Sequence, residues 1–270
     1  MSYISPIDRL SISQISTPSW SFEQDALHYA EAGINGIGVW RNKLDALGIP
    51  EALAAMDKHG LKCANLVGQI PLAGRMHHLD EELIREGLTL LNVAHTLRTQ
   101  VVVSIPWDMH GRSPELMRAL TMETLQALSP TAKRFELTIA LEPVRSPYVD
   151  YFHSMQEALS IATEMDSESV GVMLDTWHVW DEPGLEYMIR DGIQHISAVQ
   201  FSGYRVPTRF HNDRLLPGDG AAPNAQIFHW LEDAGFQGWY DLELFSEDIW
   251  KMPHEHVLQA TRFWFDSVWS

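Results

Sequence analysis

Cysteine is nearly missing from this chain: Cys63 is the single one in 270 residues. An internal disulfide framework is therefore excluded, and the apolar setting of Cys63 in Leu-Lys-Cys-Ala-Asn-Leu-Val reads as a buried strand thiol. Basic residues are also scarce. Nineteen Lys and Arg stand against 36 Asp and Glu, a formal charge of −17. Such a balance opposes binding to nucleic acid, where affinity comes mainly from Lys and Arg displacing counterions. No apolar run is long enough to span a bilayer, and the N-terminal segment Met-Ser-Tyr-Ile-Ser-Pro-Ile-Asp lacks a basic stretch followed by an apolar one. A cytoplasmic protein with no membrane role is expected. Several catalytic signatures are missing too: the Gly-x-Ser-x-Gly elbow, the Gly-x-x-x-x-Gly-Lys phosphate loop, a Gly-x-Gly-x-x-Gly after the first strand, and His-Glu-x-x-His. The chain offers no dedicated nucleophile.

What is present is an alternation. Short apolar or β-branched runs lie at 10–15, 34–40, 63–67, 100–105, 138–143, 170–175, 196–201 and 240–245. Between them, segments such as 19–33, 80–97, 113–135, 154–165 and 224–235 return apolar residues every three or four positions, the period of an amphipathic helix. Ser21, Asp80 and Ser113 mark helix starts, and Gly33, Gly60 and Gly235 mark stops. Eight strand and helix units in 270 residues predict an α/β fold, a closed (β/α)8 TIM barrel, forming one domain over residues 1–270. No linker or low-complexity stretch divides the chain.

Four acceptor side chains fall near the carboxyl ends of successive runs: Glu142, Asp175, Gln200 and Glu243. In a parallel barrel these ends converge at the face where chemistry takes place. Carboxylates with an amide carbonyl and no thiolate suit a hard divalent cation, Mn²⁺ first and Mg²⁺ or another divalent ion next. A carboxylate after the apolar run Val-Gly-Val-Met-Leu, as Asp175 is, costs several kcal/mol to bury unless a cation or donors neutralise it. In Asp-Leu-Glu-Leu-Phe, alternation puts Asp241, Glu243 and Phe245 on one face, so Glu243 faces the barrel interior if the leucines face the helices. His178 follows Asp175 by three residues, where a strand-end turn brings its ring towards the same cavity.

Trp20, Trp40, Trp107, Trp177 and Trp180 lie near predicted strand ends, where an aromatic face can stack on a sugar ring; Trp107 is taken as a substrate contact. The longest irregular stretch, 202–224, carries Arg205, Arg209, His211 and Arg214. These arginines, with Arg41 and Arg145, are equally suited to holding a phosphate or carboxylate and to pairing with acidic side chains. The histidines of His77-His78 and of Pro253-His254-Glu255-His256 fall at no predicted strand end and read as surface residues.

These motifs resemble the sugar isomerase and epimerase superfamily with the xylose-isomerase-like barrel, which includes ketose 3-epimerases, hydroxypyruvate isomerases and inosose dehydratases. The matching pieces are Leu-Glu-Pro at Glu142, Asp-Thr-Trp-His at Asp175, Val-Gln-Phe-Ser at Gln200, Arg-Leu-Leu-Pro-Gly-Asp-Gly from Arg214, and Glu-Leu-Phe from Glu243. The resemblance implies Glu142, Asp175, Gln200 and Glu243 as ligands of one metal, with His178 and Arg214 contacting a small carbohydrate substrate. It further implies an isomerase or epimerase in which Glu142 and Glu243 move a proton next to a carbonyl through an enediolate. Elimination on a keto sugar, inosose or 3-keto glycoside is the alternative outcome of the same first step, and a sugar-binding barrel without turnover is the second alternative. The aromatic loops are compatible with a homodimer. Two positions depart from the commoner pattern: Gln200 stands where many members have histidine, and Gly203 where an aspartate is common.

Overall fold

The period-two pattern of the apolar runs closes into a cylinder. The computed structural model describes residues 5–67, 77–105 and 109–270. Eight parallel strands form its barrel: β1 (Leu10–Ser13), β2 (Gly36–Trp40), β3 (Lys62–Val67), β4 (Val101–Ser104), β5 (Thr138–Leu141), β6 (Val170–Asp175), β7 (Ile196–Phe201) and, after the short β8 (Gly203–Tyr204) and β9 (Arg214–Leu215), β10 (Tyr240–Leu242). β1 hydrogen-bonds to both β2 and β10, which leaves no open edge in the barrel. All eight strand positions expected from the sequence are occupied by strands.

Alternation sorts each strand into two faces. On β5 to β7, Ile139, Leu141, Val172, Leu174, Val199 and Phe201 point outward into the layer packed against the helices. Ala140, Met173 and Ala198 point inward, joining Val101 and Val103 of β4 in a separate apolar cluster inside the barrel. Continuing the same alternation by two residues carries the chain to Glu142, Asp175 and Gln200. On β10 the outward residues are Tyr240 and Leu242, followed by Leu244, so Asp241 and Glu243 face inward. Cross-strand register completes the placement, with Asp175 opposite Gln200 and Gln200 opposite Asp241.

The outer ring consists of α1 (Phe22–Glu31), the short α2 (Arg41–Leu47), α3 (Ile49–His59), α4 (Glu81–Thr96), α5 (Pro114–Arg134), α6 (Met155–Met165), the single turn α7 (Thr176–Val179), α8 (Leu185–Gly192), α9 (Asn224–Ala234) and α10 (His254–Val268). Ser21, Asp80 and Ser113 cap α1, α4 and α5 by accepting backbone N–H bonds, and Ser154 forms a capping box with Glu157 on α6. None of the helices among the described residues is long and apolar enough to cross a membrane. One histidine departs from its surface reading. His254 opens α10 facing inward, is buried, shares a 2.8 Å hydrogen bond with the Ser19 hydroxyl and meets Trp20 edge-on, while His77, His78 and His256 are exposed.

The long segment after β7 is ordered by the antiparallel pair of β8 and β9. This hairpin carries Arg214 back over the barrel mouth. Gly203 has no room for a side chain: a Cβ there would lie 2.3 Å from the Asp219 carbonyl oxygen and 2.4 Å from that of Leu216. An aspartate at this position is incompatible with the hairpin, which gives the departure at Gly203 its steric reason.

Candidate metal and active site

Glu142, Asp175, Gln200 and Glu243 all reach the carboxyl end of the barrel, and all are buried. Glu142 leaves β5 as Pro143 ends the strand. Asp175 closes β6 and caps α7, its Oδ1 accepting from the Trp177 N–H at 2.9 Å. Its Oδ2 accepts from Arg214 Nη2 at 2.7 Å, and the same nitrogen lies 3.0 Å from Glu243 Oε2. The guanidinium also lies over two rings, 5.1 Å from the centroid of Trp177 and 5.7 Å from that of Phe245. Arg214 thus lies across two of the carboxylates.

The Gln200 amide donates through Nε2 to Asp241 Oδ2 at 3.3 Å and to Glu243 Oε1 at 3.2 Å. Its oxygen, Oε1, is buried with no hydrogen-bond partner. An unpartnered carbonyl oxygen in a buried site loses its water without compensation, and a cation is a partner to which its lone pairs could donate.

His178 stands on α7 over the same carboxylates. Its Nε2 is 3.8 Å from Glu142 Oε1 and 3.7 Å from Asp175 Oδ2, and Glu142, Asp175 and His178 each present a ligand atom within 4.8 Å of the others. Nδ1 accepts the Arg145 backbone N–H at 3.1 Å. Because that N–H can only donate, Nδ1 carries no proton. Burial lowers the ring to about 3, so at neutral pH the imidazole is uncharged and holds its proton on Nε2, facing the carboxylates and the cavity.

The electrostatics show what the site lacks. Burial, and then repulsion by Glu243 and Asp175, pushes Glu142 well above the usual carboxylate range. Burial likewise raises Glu243 to about 8, although Arg214 pulls the other way. Burial also opposes the charge on Asp175, but the Arg214 guanidinium, His178 and the Trp177 N–H together hold that carboxyl below its ordinary value. Asp175 and Arg214 match one another, whereas Glu142 and Glu243 have no counter-charge of their own, so without a cation the site holds them protonated. A divalent ion could replace those two protons, and the side chains that would take it up offer oxygen.

Above the cluster opens a cavity of about 920 Å³. Glu142, His178, Arg214 and Glu243 form its chemical wall, and Trp40, Tyr148, Trp177, His211 and Phe245 supply ring faces and edges. Asp175 and Gln200 lie beneath the floor. The expected contact Trp107 lies outside the described residues. Trp180 packs on Tyr204 and Trp20 on His28, both away from the cavity wall.

The remaining arginines take the second of the two roles expected for them. Arg41 pairs with Asp45 at 2.8 Å, Arg145 with Asp181, and Arg205 and Arg209 with the buried Asp213, Arg209 also reaching Asp248. Asp241, Asn65 and Ser11 are the residues that sequence reading passed over. The inward face of Asp241 was legible in Asp-Leu-Glu-Leu-Phe, but nothing in a sequence places Asn65 of β3 beside it.

The profile of the family described as xylose isomerase-like TIM barrel matches residues 27–267. The chain belongs to that family. Among similar proteins, the inosose isomerase of Bacillus subtilis (strain 168) is 25% identical over 188 residues, covering 67% of this chain and 66% of the relative. Fructoselysine 3-epimerase of Escherichia coli O157:H7 is 21% identical over 234 residues, 80% of this chain and 82% of the relative. Of solved structures, protein SMc04130 from Sinorhizobium meliloti 1021 superimposes with a TM-score of 0.89 at 26% identity, covering 97% of this chain and 98% of that one. The IolI protein with a binding zinc atom gives 0.84 at 19% identity, covering 96% and 97%, a likeness of fold alone. The named relatives are an isomerase and an epimerase.

Proposed function

We propose that this chain is a divalent-metal-dependent isomerase or epimerase of a small carbohydrate, acting by proton abstraction next to a carbonyl. The observation that carries the reading is the grouping of three buried carboxylates around one guanidinium, two of them without a counter-charge once ionised, beside a buried amide oxygen that has no partner. Glu142, Asp175, Gln200 and Glu243 would hold the ion, and the all-oxygen donor set favours Mn²⁺, with Mg²⁺ next. The zinc atom bound by the IolI protein supports a divalent cation in this fold. When bound, the ion supplies electrostatic stabilisation to the negative charge that develops on the substrate oxygens.

The protein's own groups do the rest. Glu142 and Glu243 line the cavity on separate strands and bind protons readily because they are buried, which fits a pair that removes and returns a proton. Return to the opposite face of the same carbon is epimerisation; return to the neighbouring carbon is isomerisation. His178 offers a fixed Nε2–H to a substrate oxygen, held in place by the Arg145 backbone. Arg214 orients a hydroxyl or carbonyl group, and Trp40, Tyr148 and Phe245 present ring surfaces to C–H groups. Arg145, Arg205, Arg209 and Arg214 are committed to carboxylates, while Arg41 and Arg85 line the cavity and are placed to meet a polar substituent of the substrate.

The test is exchange of substrate C–H protons for solvent deuterium, followed by NMR over a panel of ketoses, inososes and 3-keto glycosides. Exchange that needs Mn²⁺ or Mg²⁺ and falls about 10²- to 10⁴-fold in Glu142→Gln and Glu243→Gln is expected. Exchange at full rate in chelator, or in either variant, contradicts the proposal. The product separates epimer, isomer and elimination.

A further inference from the structure

An amide used as a cation ligand must present its oxygen, yet its nitrogen has nearly the same shape and would repel the ion. Gln200 sits at this choice. Its NH₂ group has two donors, and both are taken by carboxylates, at 3.3 Å by Asp241 and at 3.2 Å by Glu243. Rotating the amide by half a turn would set Oε1 against Asp241 Oδ2, itself an acceptor, with no proton between them.

Glu243 cannot fix this orientation independently of the ion, since it is itself a candidate ligand. Asp241 can. Its Oδ1 accepts from the Ser11 hydroxyl at 2.6 Å and its Oδ2 from Asn65 Nδ2 at 2.9 Å, so donors from β1 and β3 clamp it as an acceptor towards Gln200. Ser11, Asn65, Asp241 and Gln200 are all fully buried. Even the backbone opposite is shaped for it: a Cβ on Gly38 of β2 would lie 2.6 Å from Asp241 Oδ2. Four strands therefore cooperate in placing one carboxylate below one amide.

We propose that Asp241, clamped by Ser11 and Asn65, is a positioning residue that holds the Gln200 amide oxygen towards the cation site. The proposal rests on the cation reading given above. It makes Asp241 a determinant of metal affinity although it touches neither the cavity nor the ion, as partners behind metal ligands do elsewhere.

The experiment measures Mn²⁺ binding to the metal-stripped chain from the EPR signal of the free aquo ion, for wild type, Asp241→Leu, Gln200→Leu and the double variant. Asp241→Leu is expected to weaken binding about 10- to 100-fold, and to cost nothing further once Gln200 is already leucine. Ser11→Ala, a smaller truncation, serves if Asp241→Leu does not fold; a loss of several-fold that again disappears in the Gln200→Leu background is expected. Full Mn²⁺ affinity in Asp241→Leu, or the same loss with and without Gln200, overturns the positioning role while leaving the cation reading intact. A wild-type chain that binds no Mn²⁺ overturns the cation reading and this role with it.

Discussion

Where β4, β5, β6 and β7 line the barrel, the inward residues are Val101, Val103, Ala140, Met173 and Ala198, an apolar plug. Where β1, β2, β3 and β10 line it, they are the small Ser13, Gly36 and Gly38 and the polar Ser11, Asn65 and Asp241, the last three tied by buried hydrogen bonds. Glu142, Asp175 and Gln200 each stand two residues beyond a member of the plug, and Glu243 two residues beyond Asp241. The plug keeps water from the undersides of the first three and so raises the cost of any charge not matched by another. The polar half instead fixes directions, through donors and acceptors that cannot turn. One half makes unmatched charge costly, and the other decides which way the polar groups face.

Arg214→Met breaks the comparison most severely, because it removes the single guanidinium from beside Asp175 and Glu243. Urea unfolding of the metal-stripped chain should show a loss of about 3–5 kcal/mol, as for other broken buried ion pairs. Added Mn²⁺ should restore part of it, and an unchanged midpoint would contradict the charge accounting.

Met173→Ala opens a cavity in the plug and should cost about 2–5 kcal/mol. Because the plug carries no direction-setting group, Mn²⁺ affinity should stay within about threefold of wild type, or roughly 0.6 kcal/mol. A large loss of affinity would mean that the two halves are not separable in the way their chemistry suggests.

Metal affinity should also depend on pH. Glu243, raised by burial to about 8 without metal, and Glu142, raised also, must lose protons before they can hold a cation. Protons and Mn²⁺ then compete, so affinity rises with pH up to about 8, by up to about tenfold per unit for each proton released. Calorimetry in buffers of different ionisation enthalpy counts that release. A flat profile from pH 6 to 8 would show that both carboxylates are already ionised in the empty site.

Much of this arrangement was legible in the sequence because it is written in periods of two and four. The alternation that sends Leu141 outward also sends Glu142 inward, and capping residues such as Ser21 and Asp80 announce helices by their own chemistry. What was not legible depends on which strands become neighbours. Asn65 and Asp241 are 176 positions apart and meet only because the barrel closes. The pairing of Arg205 and Arg209 with Asp213 is local in sequence, but only the folded hairpin shows that Asp213 is buried and has first claim on both. His254 faces inward at a helix start where periodicity has hardly begun to speak.

The central claim is tested most directly by anomalous diffraction from a crystal of the chain soaked in Mn²⁺. The account predicts a single strong peak at the carboxyl end of the barrel, in coordination contact with Glu142, Asp175, Glu243 and Gln200 Oε1. No peak there, or a peak elsewhere with Arg214 still bridging Asp175 and Glu243, would contradict it.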